Sequence, residues 1–211
     1  MEQGEAGGMR VLVGCEFSGT VRDAFRAQGH DAYSCDILPA EGGSPFHVMG
    51  DVRDILADGW DLAIFHPPCT RLTVAGARWF KGKEAEQAEA IAFVETLWAA
   101  PVPRIAIENP IGVLSTRSTL GKPTQIIQPW QFGHEETKAT CLWLKGLPPL
   151  VPSNIKRPPK KSDFACDSYY YEAWAKWQRV HRMPPGPHRW RERSRTYQGI
   201  ADAMAAQWGR A

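Results

Sequence analysis

Asp61-Leu62-Ala63-Ile64-Phe65-His66-Pro67-Pro68-Cys69-Thr70 is the stretch on which the fold assignment turns. Four apolar residues lead out of Asp61 as a strand buried on both faces would, and two prolines stop the run before a cysteine. Helices cover both faces of a parallel sheet, and its ligands gather at the carboxyl ends of the strands. The pattern predicts an α/β fold with Cys69 at such an end, on a backbone fixed by Pro67 and Pro68. A thiol held there is a candidate nucleophile. The alternative is a small apolar residue packed beneath the next helix, where free cysteines often lie.

Upstream, Arg10-Val11-Leu12-Val13-Gly14 reads as a first strand that breaks at Gly14 and runs into Cys15-Glu16-Phe17-Ser18-Gly19-Thr20. Val21, Ala24 and Phe25 then share a helical face over residues 21–28, closed by Gly29. Strand, glycine turn and helix open a nucleotide-binding βαβ unit, here without a full G-x-G-x-x-G. Residues 30–35 give a second strand running into Asp36, where an acid accepts cofactor ribose hydroxyls or caps a turn. A third short strand begins at His47, and Asp51 follows its glycine. Asp51 either accepts from an adenine amino group or caps residues 52–56.

Downstream, the loop 70–82 holds Arg71, Arg78, Trp79 and Lys81, and is placed to act as a lid. Residues 83–99 form the clearest helix, ended by Pro101 and Pro103. Arg104-Ile105-Ala106-Ile107 is a further strand, and it delivers Glu108-Asn109-Pro110 to the edge that carries Cys69. Two more strands are expected at 125–128 and 140–144. Residues 148–187 alternate prolines with basic and aromatic residues, with a short helix or aromatic cluster over 168–177 whose Tyr169, Tyr170, Tyr171, Trp174 and Trp177 read mainly as the module's own core, the alternative being a surface that holds an opened nucleic-acid strand. Ile200, Ala203, Met204 and Trp208 line one face of a closing helix over 196–208. The expected organisation is a disordered tail (1–9), a catalytic domain (10–146), a small basic and aromatic module (147–193), and a C-terminal segment (194–211) whose helix packs back on the catalytic domain.

Hydrophobic residues make up 43% of the 211 and charged residues 23%, the balance of a one-domain globular chain. Five scattered cysteines without a C-x-x-C pair support neither a disulfide framework nor a metal site, and point to a reducing cytoplasm. No apolar run approaches the roughly 18 residues of a membrane span. The net charge of +2 hides an asymmetry: from Asn154 onward Lys and Arg outnumber Asp and Glu by twelve to five. A basic tail with interleaved aromatics suits a phosphate backbone or a nucleotide phosphate; the alternative is a solvated basic surface.

In chain order, Phe17-Ser18-Gly19, Asp51, Pro68-Cys69, Glu108-Asn109 and Phe132-Gly133 resemble the motifs of the DNA (cytosine-5) methyltransferase family over about two thirds of the chain. The resemblance implies a Rossmann-like sheet with helices on both faces, S-adenosylmethionine as cofactor, and DNA or a free cytosine nucleotide as substrate. It makes Cys69 the nucleophile toward carbon 6 of the ring, Glu108 the acid at ring nitrogen 3, and Asn109 the residue that holds this corner. Phe17 would stack on adenine, Gly19 would let the backbone approach the methionine end, and Asp51 would read the adenine amino group. Ser18 and Pro68 belong to the same cofactor motifs, and Asp36 would take the ribose.

Departures accompany the matches. Glu136-Thr137-Lys138-Ala139-Thr140 stands where the family has Gln-x-Arg-x-Arg, so a single cation, Lys138, replaces two arginines. His66 precedes the two prolines, Thr70 replaces a glutamine, and Tyr197-Gln198-Gly199-Ile200-Ala201 is a loose counterpart of the last motif. Only about forty residues are left for a recognition region, little surface for reading a duplex groove. The sequence therefore leaves open a minimal DNA methylase, a nucleotide-modifying enzyme, and an inactive nucleic-acid-binding protein on the same scaffold.

Overall fold

A computed structural model describes residues 8–73 and 81–210. One seven-stranded sheet runs in the order β3-β2-β1-β4-β5-β7-β6. β1 (Arg10–Gly14) lies between β2 (Asp31–Asp36) and β4 (Leu62–Phe65), parallel to both. β3 (His47–Met49) extends the sheet beyond β2, and β5 (Ile105–Pro110) extends it beyond β4, again in parallel. β6 (Gln125–Ile127) and β7 (Thr140–Lys145) pair antiparallel, and β7 runs antiparallel to β5. The sequence thus predicts the α/β class correctly but not this reversal. A short connection can join antiparallel neighbours, whereas parallel ones need a long crossover. Without β7 the order is 3-2-1-4-5-6, so the sheet is compatible with a Rossmann-like fold.

Alternation along the strands splits the core in two. Val11, Val13, Leu62, Ile64 and Leu142 pack with Phe25 of α1 (Thr20–Arg26) on one face. Leu12, Phe65, Ile105, Ile107 and Trp143 pack on the other, against Val94 and Leu97 of α2 (Glu84–Trp98) and Leu114 of α3 (Leu114–Arg117). Beyond the sheet come α4 (Asp167–Lys176), α5 (Arg179–Arg182), α6 (Arg189–Ser194) and α7 (Gln198–Trp208). α7 returns to the α1 face, burying Ile200, Ala203, Met204 and Trp208 as its periodicity predicts.

The module is tied to the segment before β7 that holds Lys138. Thr137 N donates to the Trp177 carbonyl at 2.8 Å, and the buried Glu136 carboxylate accepts from Val180 N at 3.1 Å. Trp177 and Val180 are buried, whereas Tyr169 is 62% and Tyr171 58% exposed. The core reading therefore fails for these two tyrosines, because α4 buries no residue of its own. Among the described residues no helix is long and apolar enough to cross a membrane. Residues 1–7 of the expected tail, and Arg78 and Trp79 of the expected lid, lie outside the described residues.

His134 secures the start of α7: its Nε2 accepts the Gly199 N–H at 3.0 Å, and its ring packs on Tyr197. Burial holds this imidazole below its ordinary range, against a smaller opposing effect of Asp202. Burial, then the Arg104 charge, does the same to His30. Both groups are neutral in the fold and titrate higher when unfolded, so their stabilisation is complete above the ordinary imidazole range and declines as pH falls through it. The thermal midpoint is expected to drop between about pH 7.5 and about pH 5.5, and His134→Gln should flatten part of that slope in calorimetry; a midpoint independent of pH there would contradict the assignment.

Candidate active site

The turn from β1 to α1 is built under strain. Cys15 is the only non-glycine with positive φ among the described residues, at 59°, a conformation costing about 1–3 kcal/mol that clusters at functional sites. Gly19 has φ 75°, and a Cβ on it would stand 2.1 Å from the Arg22 guanidinium. Glu16 supplies the acceptors for α1: its Oε1 takes Val21 N at 2.7 Å and its Oε2 takes Arg22 N at 3.3 Å. Ser18 Oγ donates to the same carboxylate at 3.3 Å and accepts from Thr20 N at 3.3 Å, so it serves the turn. Phe17 faces Trp190 of α6, ring centroids 5.7 Å apart, and the Arg191 guanidinium lies 5.7 Å from its ring.

The two acids expected to hold a cofactor end β2 and follow β3. Asp36 accepts Leu38 N at 2.9 Å, and burial pushes its carboxyl up. Ile37 beside it is 77% exposed, an apolar side chain offered at the same edge. Asp51 caps the short 3₁₀ turn at Val52–Ile55 through Arg53 N at 2.9 Å and pairs with the Arg53 side chain. Hydrogen bonding to Arg53 holds its carboxyl at about 2. The capping role foreseen for Asp51 is thus present; both acids exert their charge on the Cys15 thiol.

Cys69 follows β4 across the two prolines, and its carbonyl accepts the Leu72 and Thr73 N–H groups at 2.9 and 3.0 Å. The buried Asn109 at the end of β5 donates Nδ2 to the Pro67 carbonyl at 2.9 Å, clamping the loop to the strand. Pro68 itself is exposed. Glu108 is half-buried, and His66 Nδ1 donates to its Oε2 at 3.0 Å. Burial alone would raise this carboxyl, but the His66 hydrogen bond and the Lys138 charge outweigh it and leave it below its ordinary range. The Cys69 thiol is pushed up by burial and then by Glu108, with Lys138 and Arg193 pulling the other way. Lys138 arrives from the residues before β7, its Nζ 3.4 Å from the Arg195 carbonyl. Reversal of β7 explains this: its amino end lies at the carboxyl edge of the parallel strands.

Cys69, Glu108, Asn109 and Lys138 therefore meet at one edge. Phe17, Ser18 and Gly19 follow β1, the neighbour of β4, and the two strands flank the point where strand order reverses, the crevice in which open α/β sheets bind ligands. A cavity of about 40 Å³ lies there, lined by Cys15, Phe17, Ser18 and His66 and, from the residues before α7, by Ser194 and Thr196. Two polar atoms at this site are buried without a hydrogen-bond partner, His66 Nε2 and Asn109 Oδ1. Sequence reasoning noted His66 as a departure but gave it no role, and passed over Ile37 and Trp190. An exposed isoleucine or tryptophan leaves no mark in a hydrophobic pattern; an acid aligned with His66 emerges when β4 and β5 pair. No protein-family model matches the chain, and no curated protein is significantly similar to it.

Proposed function

We propose that this chain transfers a methyl group from S-adenosylmethionine to carbon 5 of cytosine in DNA through a covalent adduct with Cys69. The observation that carries the reading is geometric: the parallel pairing of β4 with β5 brings Cys69 and Glu108 to one carboxyl edge, and the reversed β7 brings Lys138 to the same edge. Nucleophile, acid and cation come from three separate segments, and Asn109 fixes the loop between them.

The residues at the crevice suit the proposed cofactor in type: Phe17 and exposed Ile37 for ring faces, Asp36 for ribose hydroxyls, and buried unpaired His66 Nε2 for a polar group. A cavity of about 40 Å³ is on the scale of water, so it must widen for the cofactor to enter. When bound, S-adenosylmethionine supplies an electrophilic methyl group. Cys69 adds to ring carbon 6, Glu108 in its protonated form serves nitrogen 3, and carbon 5 becomes electron-rich enough to take the methyl group. Loss of the carbon 5 proton then expels the thiol. Exposed Lys156, Arg157, Lys160 and Lys161 would lie along phosphates.

The short module, with no residue of α4 buried, favours a second reading in which the substrate is a free cytosine nucleotide. Labelled methyl from S-adenosylmethionine is to be offered to duplex DNA, single-stranded DNA, RNA, cytidine nucleotides and deoxycytidine nucleotides. Label at carbon 5 of cytosine in DNA is the expected result. Label on nucleotides alone would establish the second reading, and no transfer to anything by a protein that binds the cofactor would overturn both.

A further inference from the structure

His66 sits where β4 ends, between carboxylates delivered by two other elements. Its Nδ1 donates to Glu108 at 3.0 Å, its side chain is only 8% exposed, and its Nε2 has no hydrogen-bond partner on the cavity wall. An unpaired buried polar atom carries an uncompensated desolvation cost. An apolar side chain would fill the same space without that cost. The groups that face the imidazole are Glu108 of β5, Glu16 and Cys15 of the turn after β1, and Arg195 across the cavity; Lys138, before β7, acts through Glu108.

We propose that His66 is a positioning residue that relays a proton through Glu108 to the pyrimidine ring and takes it back, an inference that rests on the methyl-transfer reading above. In the starting state His66 is an imidazolium and Glu108 a carboxylate. As the Cys69 thiolate forms the sulfur–carbon 6 bond, the carbon 5–carbon 6 π pair moves into the ring toward nitrogen 3. Glu108 takes the Nδ1 proton of His66 at Oε2, and the carboxyl so formed gives that proton to nitrogen 3, returning to a carboxylate. His66 is left neutral, with its remaining proton on Nε2. After methyl transfer the nitrogen 3 proton returns by the same path, and loss of the carbon 5 proton to water expels the thiolate. Since Glu108 titrates below its ordinary range despite burial, it is a poor proton store near neutrality without such a partner.

The test compares wild type with His66→Gln, whose amide can still donate to Glu108 but cannot carry the proton. Methyl transfer from S-adenosylmethionine to a cytosine-containing oligonucleotide and to deoxycytidine monophosphate is followed across pH, with thermal unfolding alongside. In the variant kcat is expected to fall roughly 10–100-fold while KM changes less than about threefold, and the alkaline decline of kcat present in wild type should vanish. An active wild type whose kcat and pH profile survive His66→Gln would overturn the relay alone. A wild type that methylates neither substrate would overturn the methyl-transfer reading and the relay with it.

Discussion

Cys69→Ala is expected to lower methyl transfer by at least about 10⁴-fold, because without the adduct carbon 5 of the ring is never made nucleophilic. The truncation removes one sulfur atom from a half-buried position and leaves the Pro67 carbonyl to Asn109 clamp intact. Thermal stability should therefore change by less than about 1 kcal/mol, and cofactor affinity by less than about twofold. Cys69→Ser should fare little better, since a hydroxyl is a far weaker nucleophile than a thiolate near neutral pH. In wild type, burial and then the Glu108 charge hold the thiol above its ordinary range. The need for thiolate gives the rising limb of the pH–rate profile. Measured transfer in a correctly folded Cys69→Ala protein, within tenfold of wild type, would remove Cys69 from the chemistry.

How the site was legible follows from which interactions are local. The run at Leu62–Phe65 and the run ending in Glu108 are both buried on two faces, so their composition alone marks them as central strands. Once they are parallel neighbours, Cys69 and Glu108 must share an edge. Asp51 was legible as a cap or a ligand because both demand the same carboxylate, and the hydrogen bond from Arg53 N shows the cap. The reversal of β7 was not legible, since alternation gives a strand's faces and not its direction. Nor was the pairing of His66 with Glu108, a contact across 42 positions that exists only through the sheet register. Tyr169 and Tyr171 misled for the opposite reason: aromatic content suggests burial, and a short helix without a second layer cannot provide it.

Gly199→Ala tests how α7 is anchored, and here two familiar effects oppose each other. Alanine in a helix is favoured over glycine by about 1 kcal/mol in the interior, and by less in the first turn. Against that, a Cβ on Gly199 would stand 1.9 Å from the Phe132 carbonyl oxygen and 3.1 Å from His134 Nε2. The first of these is backbone and cannot swing aside, so either α7 or the turn at Phe132 must move. Overpacking of this kind costs about 1–3 kcal/mol or more, and loss of the Gly199 N–H to His134 bond adds about 1 kcal/mol. The clash dominates. A net loss of about 2–4 kcal/mol is expected, read as a Tm lower by roughly 5–15 °C. Gly186→Ala, where an added Cβ meets nothing within 4 Å, is the control and should leave Tm within about 2 °C. An unchanged or raised Tm in Gly199→Ala would show that α7 does not hold this close approach in solution. The consequence reaches the site, because Thr196 on the cavity wall and Tyr197 beside Lys138 immediately precede α7. A helix displaced at Gly199 carries both with it, so the same substitution should weaken ligand binding at the crevice even where the protein remains folded.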